Sequence, residues 1–234
     1  MHLIHPTSLA ATLDAFNAAH FANRTIPLTD RKELAAFLAS RIETHGSYAG
    51  MPAPTPHDFE HKVRLFTGEK LSSHACIAHV LGEEACRTLL LLNVRAKSVR
   101  EPLARATRGI ASRVANDDRH YRQPSGRYCC AQCSVGLWRH LLAGGLDHQQ
   151  DRLRHGISTL TSRRTPDGRW KTYPFYYTLL ALLDMPLAEA QTELEYVAPA
   201  CARLLSRNLR GTSPYPTRRR ALLERVLARC PLPN

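Results

Sequence analysis

Two phrases decide the fold: Gln123-Pro-Ser-Gly-Arg-Tyr128 and Arg164-Thr-Pro-Asp-Gly-Arg-Trp170. Each closes on a glycine, one further residue and an aromatic side chain. Each also follows a segment with a helical pattern and precedes an apolar run. Gly126 and Gly168 lie 42 positions apart, and a period of that length is typical of repeats built from helix pairs. We therefore expect a chain of stacked helical hairpins.

A glycine of the same kind recurs on both sides of these phrases. Gly46 is followed two positions later by Tyr48, and Gly211 closes another helical segment. The glycines at positions 46, 126, 168 and 211 are separated by 80, 42 and 43 residues. The first gap is about two periods long, so we expect one degraded copy inside it. Because a single hairpin cannot bury its apolar face alone, neighbouring units must stack.

The composition along the chain divides it into three parts of one all-α domain. Residues 1–50 are predicted to form a first hairpin, 51–71 a proline-rich connector with a short helix, and 72–234 the main repeats. Met51-Pro-Ala-Pro-Thr-Pro56 contains three prolines, which exclude a regular helix there. The chain has no alternating pattern typical of a strand. We therefore expect no β-structure.

Apolar residues at helical spacing, together with capping residues, predict where the helices begin and end. The segment 116–120 is predicted to be a polar loop, and Asp147 is predicted to cap a helix that runs through Leu160. The other predicted helices are 7–23, 31–45, 58–66, 72–93, 99–116, 129–142, 175–183, 187–206 and 218–230.

The overall composition indicates a globular, basic protein. The chain has 234 residues, of which 44% are hydrophobic, and 32 lysines and arginines stand against 20 acidic residues, giving a net charge of +12. No apolar run approaches the roughly 20 residues that span a bilayer. The N-terminus has no signal-peptide pattern. We therefore expect a cytoplasmic protein whose seven cysteines are reduced.

The glycine phrases resemble the repeat of prenyltransferases and squalene cyclases. In that repeat, a glutamine near the end of an outer helix is followed by a glycine and by an aromatic that opens the inner helix. The resemblance is best over residues 114–185. The matching residues are Gln123, Gly126 and Tyr128, one residue shorter than the usual spacing, and Asp167, Gly168 and Trp170, with Arg164 in the place of the glutamine.

The resemblance implies an α/α toroid, or an incomplete one, with inner helices 72–93, 129–142 and 175–183 around a central cavity. It also implies a hydrophobic or isoprenoid-like ligand and chemistry of the terpene-cyclase or prenyl-transfer type. Tyr176 and Tyr177, on the last inner helix, are the candidates to stabilise a carbocation by a cation–π interaction. One of two neighbouring helix positions can face inward, and Tyr176 is taken as the catalytic one. The chain departs from the family in lacking an Asp-x-Asp-Asp stretch and an assignable Asp, Cys and His zinc set.

Two of the predicted inner helices carry most of the residues capable of chemistry. On the first, one helical face is predicted to hold four such residues, at positions i, i+3, i+7 and i+10. On the second, three residues fall at i, i+4 and i+11, with Cys130 beside them. These residues are Cys76, His79, Glu83 and Cys86 on the first helix and Cys129, Cys133 and His140 on the second.

The cysteines and histidines of this set support two kinds of site. Sulfur and nitrogen ligands suit four-coordinate zinc, so the predicted metal ligands are Cys76, His79, Cys86, Cys129, Cys133 and His140. A nucleophilic Cys133 activated by His79 or His140 is the other possibility, with Glu83 as a general acid. Cysteine is also a small apolar residue that packs in cores. The alternative for Glu83 and Glu84 is a position on the helix surface, paired with Arg87.

Three functions follow from these patterns. The first is a pocket for a hydrophobic or isoprenoid-like small molecule. The second is a non-catalytic scaffold that binds a protein or nucleic acid through its basic faces. The third is a zinc-dependent or thiolate-dependent enzyme that uses the cysteine and histidine cluster. The arginines behind the second hypothesis are Arg207, Arg210, Arg218, Arg219, Arg220, Arg225 and Arg229.

Overall fold

A computed structural model of the chain describes residues 2–207 and 211–230. Within these ranges 64% of the structure is helical and the only strands form one short hairpin, which confirms the all-α prediction. The helices are α1 (Leu9–Phe21), α2 (Leu28–Ser40), α3 (Pro56–Glu60), α4 (His74–Leu92), α5 (Lys97–Tyr121), α6 (Ala131–Leu142), α7 (Gln149–Thr161), α8 (Phe175–Asp184), α9 (Ala188–Ser206) and α10 (Tyr215–Arg229), and the strands are β1 (Arg164–Thr165) and β2 (Arg169–Trp170).

Helix α4 lies at the centre of the molecule. It begins where the Ser73 side chain accepts a hydrogen bond from the Cys76 amide, and it ends at Asn93, whose backbone is left-handed. Helices α1, α2, α5 and α6 all pack against it. Side chains on nearly every face of α4 are therefore buried, and its partner with the most extensive contact is α6.

Helices α4 and α6 run parallel in a fixed register. Cys76 contacts Cys133, and Glu83 contacts His140; each pair is separated by 57 positions in the sequence. The two pairs lie seven residues apart on both helices and keep the same offset, so the helices point in the same direction. Helix α5 packs on α4, α7 on α6 and α9 on α8, so consecutive helices form hairpins in this part of the chain.

Several predicted boundaries are wrong, for identifiable reasons. The expected polar loop 116–120 belongs to α5, because Asp118 forms two hydrogen bonds with Arg152 of α7, at 2.7 and 2.8 Å. Helix α2 ends at Ser40, not near residue 45. Asp147 accepts hydrogen bonds from the same arginine and does not cap α7, whose N-cap is His148.

Two further boundaries differ from the predictions. Helix α3 stops at Glu60 rather than continuing to residue 66, since the chain beyond it turns back through a bridge between Arg64 and Lys70. Cys129 precedes α6 and has a positive φ of 51°, so it is not part of the helical face on which it was predicted. Arg210, one of the arginines behind the scaffold hypothesis, lies outside the described residues.

The second glycine phrase forms a β-hairpin, which contradicts the expectation of no strands. Arg164 pairs with Trp170 and Thr165 with Arg169. Gly168 sits in the turn with a φ of +78°, a conformation that favours glycine. The Trp170 indole then donates a hydrogen bond to buried Glu193 at 2.8 Å. This phrase therefore does form a tight turn fixed by its aromatic residue.

Gly126 in the first phrase has a different role. A Cβ atom there would lie 1.9 Å from the Arg152 carbonyl oxygen and 2.5 Å from the Gly156 nitrogen. The absent side chain thus lets the loop touch helix α7. The Trp138 indole completes this contact by donating to the Gly126 carbonyl at 2.7 Å. The two phrases are similar in sequence, but Gly168 permits a positive φ in a turn, whereas Gly126 permits close contact with the backbone of α7.

A buried network of charged and polar side chains joins α1, α4, α6 and α8. The Glu84 carboxylate accepts from Arg139 Nε at 2.6 Å and from the Tyr177 hydroxyl at 2.5 Å. Asn17 of α1 donates to the same carboxylate and accepts from Arg87 at 3.0 Å. Glu84 and Arg87 were predicted on the helix surface, and that prediction is wrong: both are only 4% exposed.

The network determines how Glu84 titrates. Burial raises its pKa, but the charges of Arg139 and Arg87 and the hydrogen bonds it accepts outweigh that effect and lower the pKa to about 2. The carboxylate is therefore ionised inside the protein at neutral pH.

None of the described helices is both long enough and apolar enough to cross a bilayer.

Because Gly126 lies in close contact with α7, adding one methyl group at this position is predicted to destabilise the fold. We expect Gly126→Ala to lower the free energy of unfolding by about 3 kcal/mol, because the new Cβ would overlap backbone atoms of α7. Gly144→Ala is the matched control: its φ is +86°, but nothing lies within 4 Å of the added Cβ, so we expect a loss of about 1 kcal/mol. Urea unfolding measures both. Equal losses would contradict the role given to Gly126.

The lowered pKa of Glu84 predicts a pH-dependent contribution to stability. The folded pKa is below the unfolded value of 4.5, so the stabilisation is present above pH 4.5 and is lost as the pH falls towards 2. At pH 7 we expect Glu84→Gln to cost about 3 kcal/mol.

Urea unfolding at several pH values tests this expectation. The gap in unfolding free energy between the wild type and Glu84→Gln should narrow steadily below pH 4.5. Glu101→Gln, at an exposed position of α5, should show almost no gap at any pH. A gap for Glu84→Gln that stays constant down to pH 2.5 would show that ionisation of this carboxylate does not stabilise the fold.

Candidate metal centre

Three cysteines lie at the start of α6: Cys129 and Cys130 in the loop before it and Cys133 in its first turn. Cys130 is the N-cap residue of α6, and Cys133 lies one turn into the helix. The Ser134 hydroxyl accepts from the Tyr128 amide at 3.0 Å and donates to the Cys130 carbonyl at 2.9 Å. This side chain folds the loop back onto the helix. Cys129 and Cys130 are therefore exposed beside the buried Cys133.

Helix α4 supplies two more ligand atoms from the opposite side. Cys76 Sγ lies 3.8 Å from Cys133 Sγ, and His79 Nδ1 lies 3.6 Å from the same sulfur. Cys130 Sγ approaches Cys133 Sγ at 3.5 Å. The buried Cys133 is thus the common neighbour of three other ligand atoms.

The described residues contain two overlapping ligand triads at this point. One is formed by Cys76, Cys130 and Cys133 and the other by His79, Cys129 and Cys133, and within each triad all ligand atoms lie within 4.8 Å of one another. We call these five residues the thiol cluster. Its members come from two helices and one loop, so only the folded chain assembles it.

The imidazole of His79 packs against two aromatic rings. The ring centroids of Tyr48 and Tyr128 lie 3.8 and 5.2 Å from that of His79. Burial lowers the pKa of His79 below its ordinary value of 6.5, so the ring is neutral at pH 7. A neutral imidazole is the form that binds a metal ion.

The pKa values of the thiols in the cluster are shifted in opposite directions. Hydrogen bonds from Cys133 and Cys76 lower the pKa of Cys130, and the same contacts, aided by burial, raise the pKa of Cys133. The pKa of Cys76 is raised to about 11, chiefly by its hydrogen bond with Cys130. Cys133 is therefore a weak nucleophile as a free thiol, and Cys130 is the residue of the cluster that carries negative charge most readily.

The cluster borders a cavity of about 300 Å³. Cys129 and Cys130 lie on its wall. Arg127 and Arg163 also line it, together with Tyr121 and Tyr173. A small molecule therefore has a route to the exposed side of the cluster.

Two predicted metal ligands lie away from the cluster. Cys86 and His140 are each seven positions beyond a cluster residue on their helices, which places them about 10 Å further along the axis. His140 Nδ1 instead forms a hydrogen bond with Glu83 at 2.5 Å, and both residues are fully buried. The structure thus does not bring Cys86, His140 or Glu83 to the thiols. Cys133 has His79, not His140, beside it.

Of the two neighbouring tyrosines, Tyr177 points into the interior, and Tyr176, which was predicted to do so, does not. Tyr176 is half-buried, and the guanidinium of Arg219 lies 4.6 Å from the centre of its ring. Tyr177 points inward and bonds to Glu84. One residue along a helix changes direction by about 100°, and the sequence pattern left open which of the two rings faces inward.

Sequence reasoning placed Cys130 beside the site without assigning it a role. Cys130 and Cys133 have Cys-x-x-Cys spacing at a helix N-terminus, a signal that was available in the sequence. Gln132, between them, was missed altogether: it accepts from the Cys76 thiol at 3.3 Å and donates to the Lys70 carbonyl at 2.7 Å. It ties the cluster to the chain before α4.

Comparisons of the chain with protein-family models, curated proteins and solved structures found no significant match. The function must therefore be inferred from the geometry of the site itself.

Proposed function

We propose that the chain binds a zinc ion at the thiol cluster, through Cys76, Cys130, Cys133 and His79. Thiolate and neutral imidazole are the ligands that zinc prefers. Two of these residues lie on α4 and the others at the start of α6, so the metal would fasten the two helices together at their N-terminal ends.

The spacing of the ligand atoms is the observation that carries the proposal. Zn–S and Zn–N bonds of about 2.3 and 2.0 Å in a tetrahedron separate two sulfurs by about 3.8 Å and a sulfur from a nitrogen by about 3.5 Å. The sulfur separations around Cys133 are 3.5 and 3.8 Å, and its distance to His79 Nδ1 is 3.6 Å. The sulfur atoms of Cys76, Cys130 and Cys133 lie within 4.8 Å of one another, whereas His79 belongs to the second triad, so binding of one ion by all four residues requires the His79 side chain to move towards Cys76 and Cys130.

The number of ligands favours a structural zinc site over a catalytic one. Four protein ligands fill a tetrahedral coordination sphere, as in structural zinc sites, whereas catalytic sites keep one position for water or substrate. Cys129 and Cys130 line the 300 Å³ cavity, so small molecules can reach one edge of the centre without an open coordination position on the metal.

The resemblance to prenyltransferases and squalene cyclases remains a prediction. The parallel register of α4 and α6 and the alternation of inner and outer helices support a toroid-like arrangement. Helices α1 and α10 also meet, since Arg218 bonds to Asp14 at 2.6 and 2.8 Å. The space between the inner helices holds Glu84, Arg139 and Tyr177 in polar contact, which is a poor environment for an isoprenoid.

Binding of nucleic acid through the basic faces also remains a prediction. Four arginines of the C-terminal group are engaged within the chain: Arg218 pairs with Asp14, and Arg219, Arg225 and Arg229 each donate to a backbone carbonyl. These contacts leave fewer donors on α10 for phosphates. A steep loss of affinity with added salt is what binding of this kind requires.

Metal analysis of the purified full-length chain tests the zinc proposal. We expect one zinc ion per chain after loading and dialysis, and loss of that zinc in Cys76→Ser and Cys133→Ser, because each variant removes a thiolate ligand. Zinc should also raise the melting temperature of the wild type and leave that of these variants unchanged.

Cys86→Ser and Cys201→Ser are the matched controls. Both residues are buried cysteines outside the cluster, so their variants should keep the zinc. A wild type that holds no zinc after loading would refute the proposal. Equal zinc loss in the controls would mean that the metal depends on the fold in general and not on these ligands.

A further inference from the structure

A second cavity, of about 100 Å³, lies where α1, α4, α6, α8 and α10 meet. Its polar lining is largely basic. Arg87 and Arg139, which are buried, line its inner side, towards the protein interior; Arg225 of α10 and His20, which are exposed, line its outer side, towards solvent. Asp184 supplies the one carboxylate among the described lining residues. This cavity is separate from the thiol cluster and uses none of its residues.

The buried charges beside this cavity do not balance. Arg87 and Arg139, which are 4% and 2% exposed, share the single buried carboxylate of Glu84. Arg139 Nη1 is buried without a hydrogen-bond partner. The nearest carboxylate oxygen, from Asp184, is 3.5 Å away on a side chain that is 48% exposed. A buried guanidinium with incomplete pairing is costly, and an added anion would offset that cost.

Arg225 is positioned at the outer side of the cavity by an aromatic ring. Its guanidinium carbon lies 3.7 Å from the centre of the Phe21 ring. Its Nη2 atom donates to the Phe21 carbonyl at 2.7 Å. A guanidinium presents five N–H donors in one plane, so the remaining donors stay available to a ligand in the cavity. Two arginines thus lie on its two sides.

We propose that this cavity binds a small oxyanion, a phosphate or a carboxylate group, between Arg139 and Arg225. Planar guanidinium groups pair with such anions through charge-assisted hydrogen bonds. Asn17 keeps the inner side in place, since it accepts from both Arg87 and Arg139. The anion competes with Asp184 for Arg139. The volume of the cavity limits the ligand to a small group.

Inorganic phosphate is the probe, and isothermal titration at constant ionic strength is the measurement. The wild type should bind phosphate, while sodium chloride at the same ionic strength produces no saturable signal. Arg225→Gln should weaken the binding at least ten-fold. Asp184→Asn should strengthen it, because the competing carboxylate is removed. Succinate in place of phosphate distinguishes a carboxylate ligand from a phosphate.

Arg220→Gln is the matched control, since it removes the same charge from an exposed position of the same helix. Its affinity for phosphate should equal that of the wild type. Circular dichroism confirms that each variant is folded. The proposal is overturned if the wild type binds neither phosphate nor succinate, or if Arg220→Gln and Arg225→Gln weaken the binding equally, since that would indicate attraction to the overall positive charge alone.

Discussion

The buried ion pair between Glu84 and Arg139 fixes how α4 lies against α6, and the rest of the structure depends on that register. The two charged atoms are 2.6 Å apart and almost fully buried. A shift along either helix would separate Arg139 from Glu84 and leave its buried charge unpaired, at a cost of several kcal/mol. The same register places Cys76 beside Cys133. An ion pair about two turns further along the helices therefore maintains the register that assembles the candidate metal centre at their N-terminal ends.

Helical periodicity predicted most of the inner helices correctly, but it did not predict contacts between distant segments. The ends of α4 were readable from Ser73 and Asn93, because caps are local. The extension of α5 depends on Asp118 reaching Arg152 of another helix. The different roles of Gly126 and Gly168 also depend on what lies opposite each glycine. The glycine phrases therefore marked the turns without revealing their conformation.

The candidate site was predictable in part, for a similar reason. A helical face gives the direction of a side chain but not its position along the helix axis. Cys76, His79 and Cys133 lie at the same level and meet, whereas Cys86 and His140 share those faces about 10 Å away. The contribution of the loop residues Cys129 and Cys130 depends on a backbone turn that the helical pattern did not predict.

Zinc held by sulfur and nitrogen atoms from both α4 and α6 is the defining property of the proposed site. X-ray absorption at the zinc edge of the zinc-loaded chain counts the ligands and measures their distances. We expect three sulfur atoms at about 2.3 Å and one nitrogen at about 2.0 Å. A shell made only of nitrogen and oxygen atoms would refute the proposal and would place the zinc away from these cysteines.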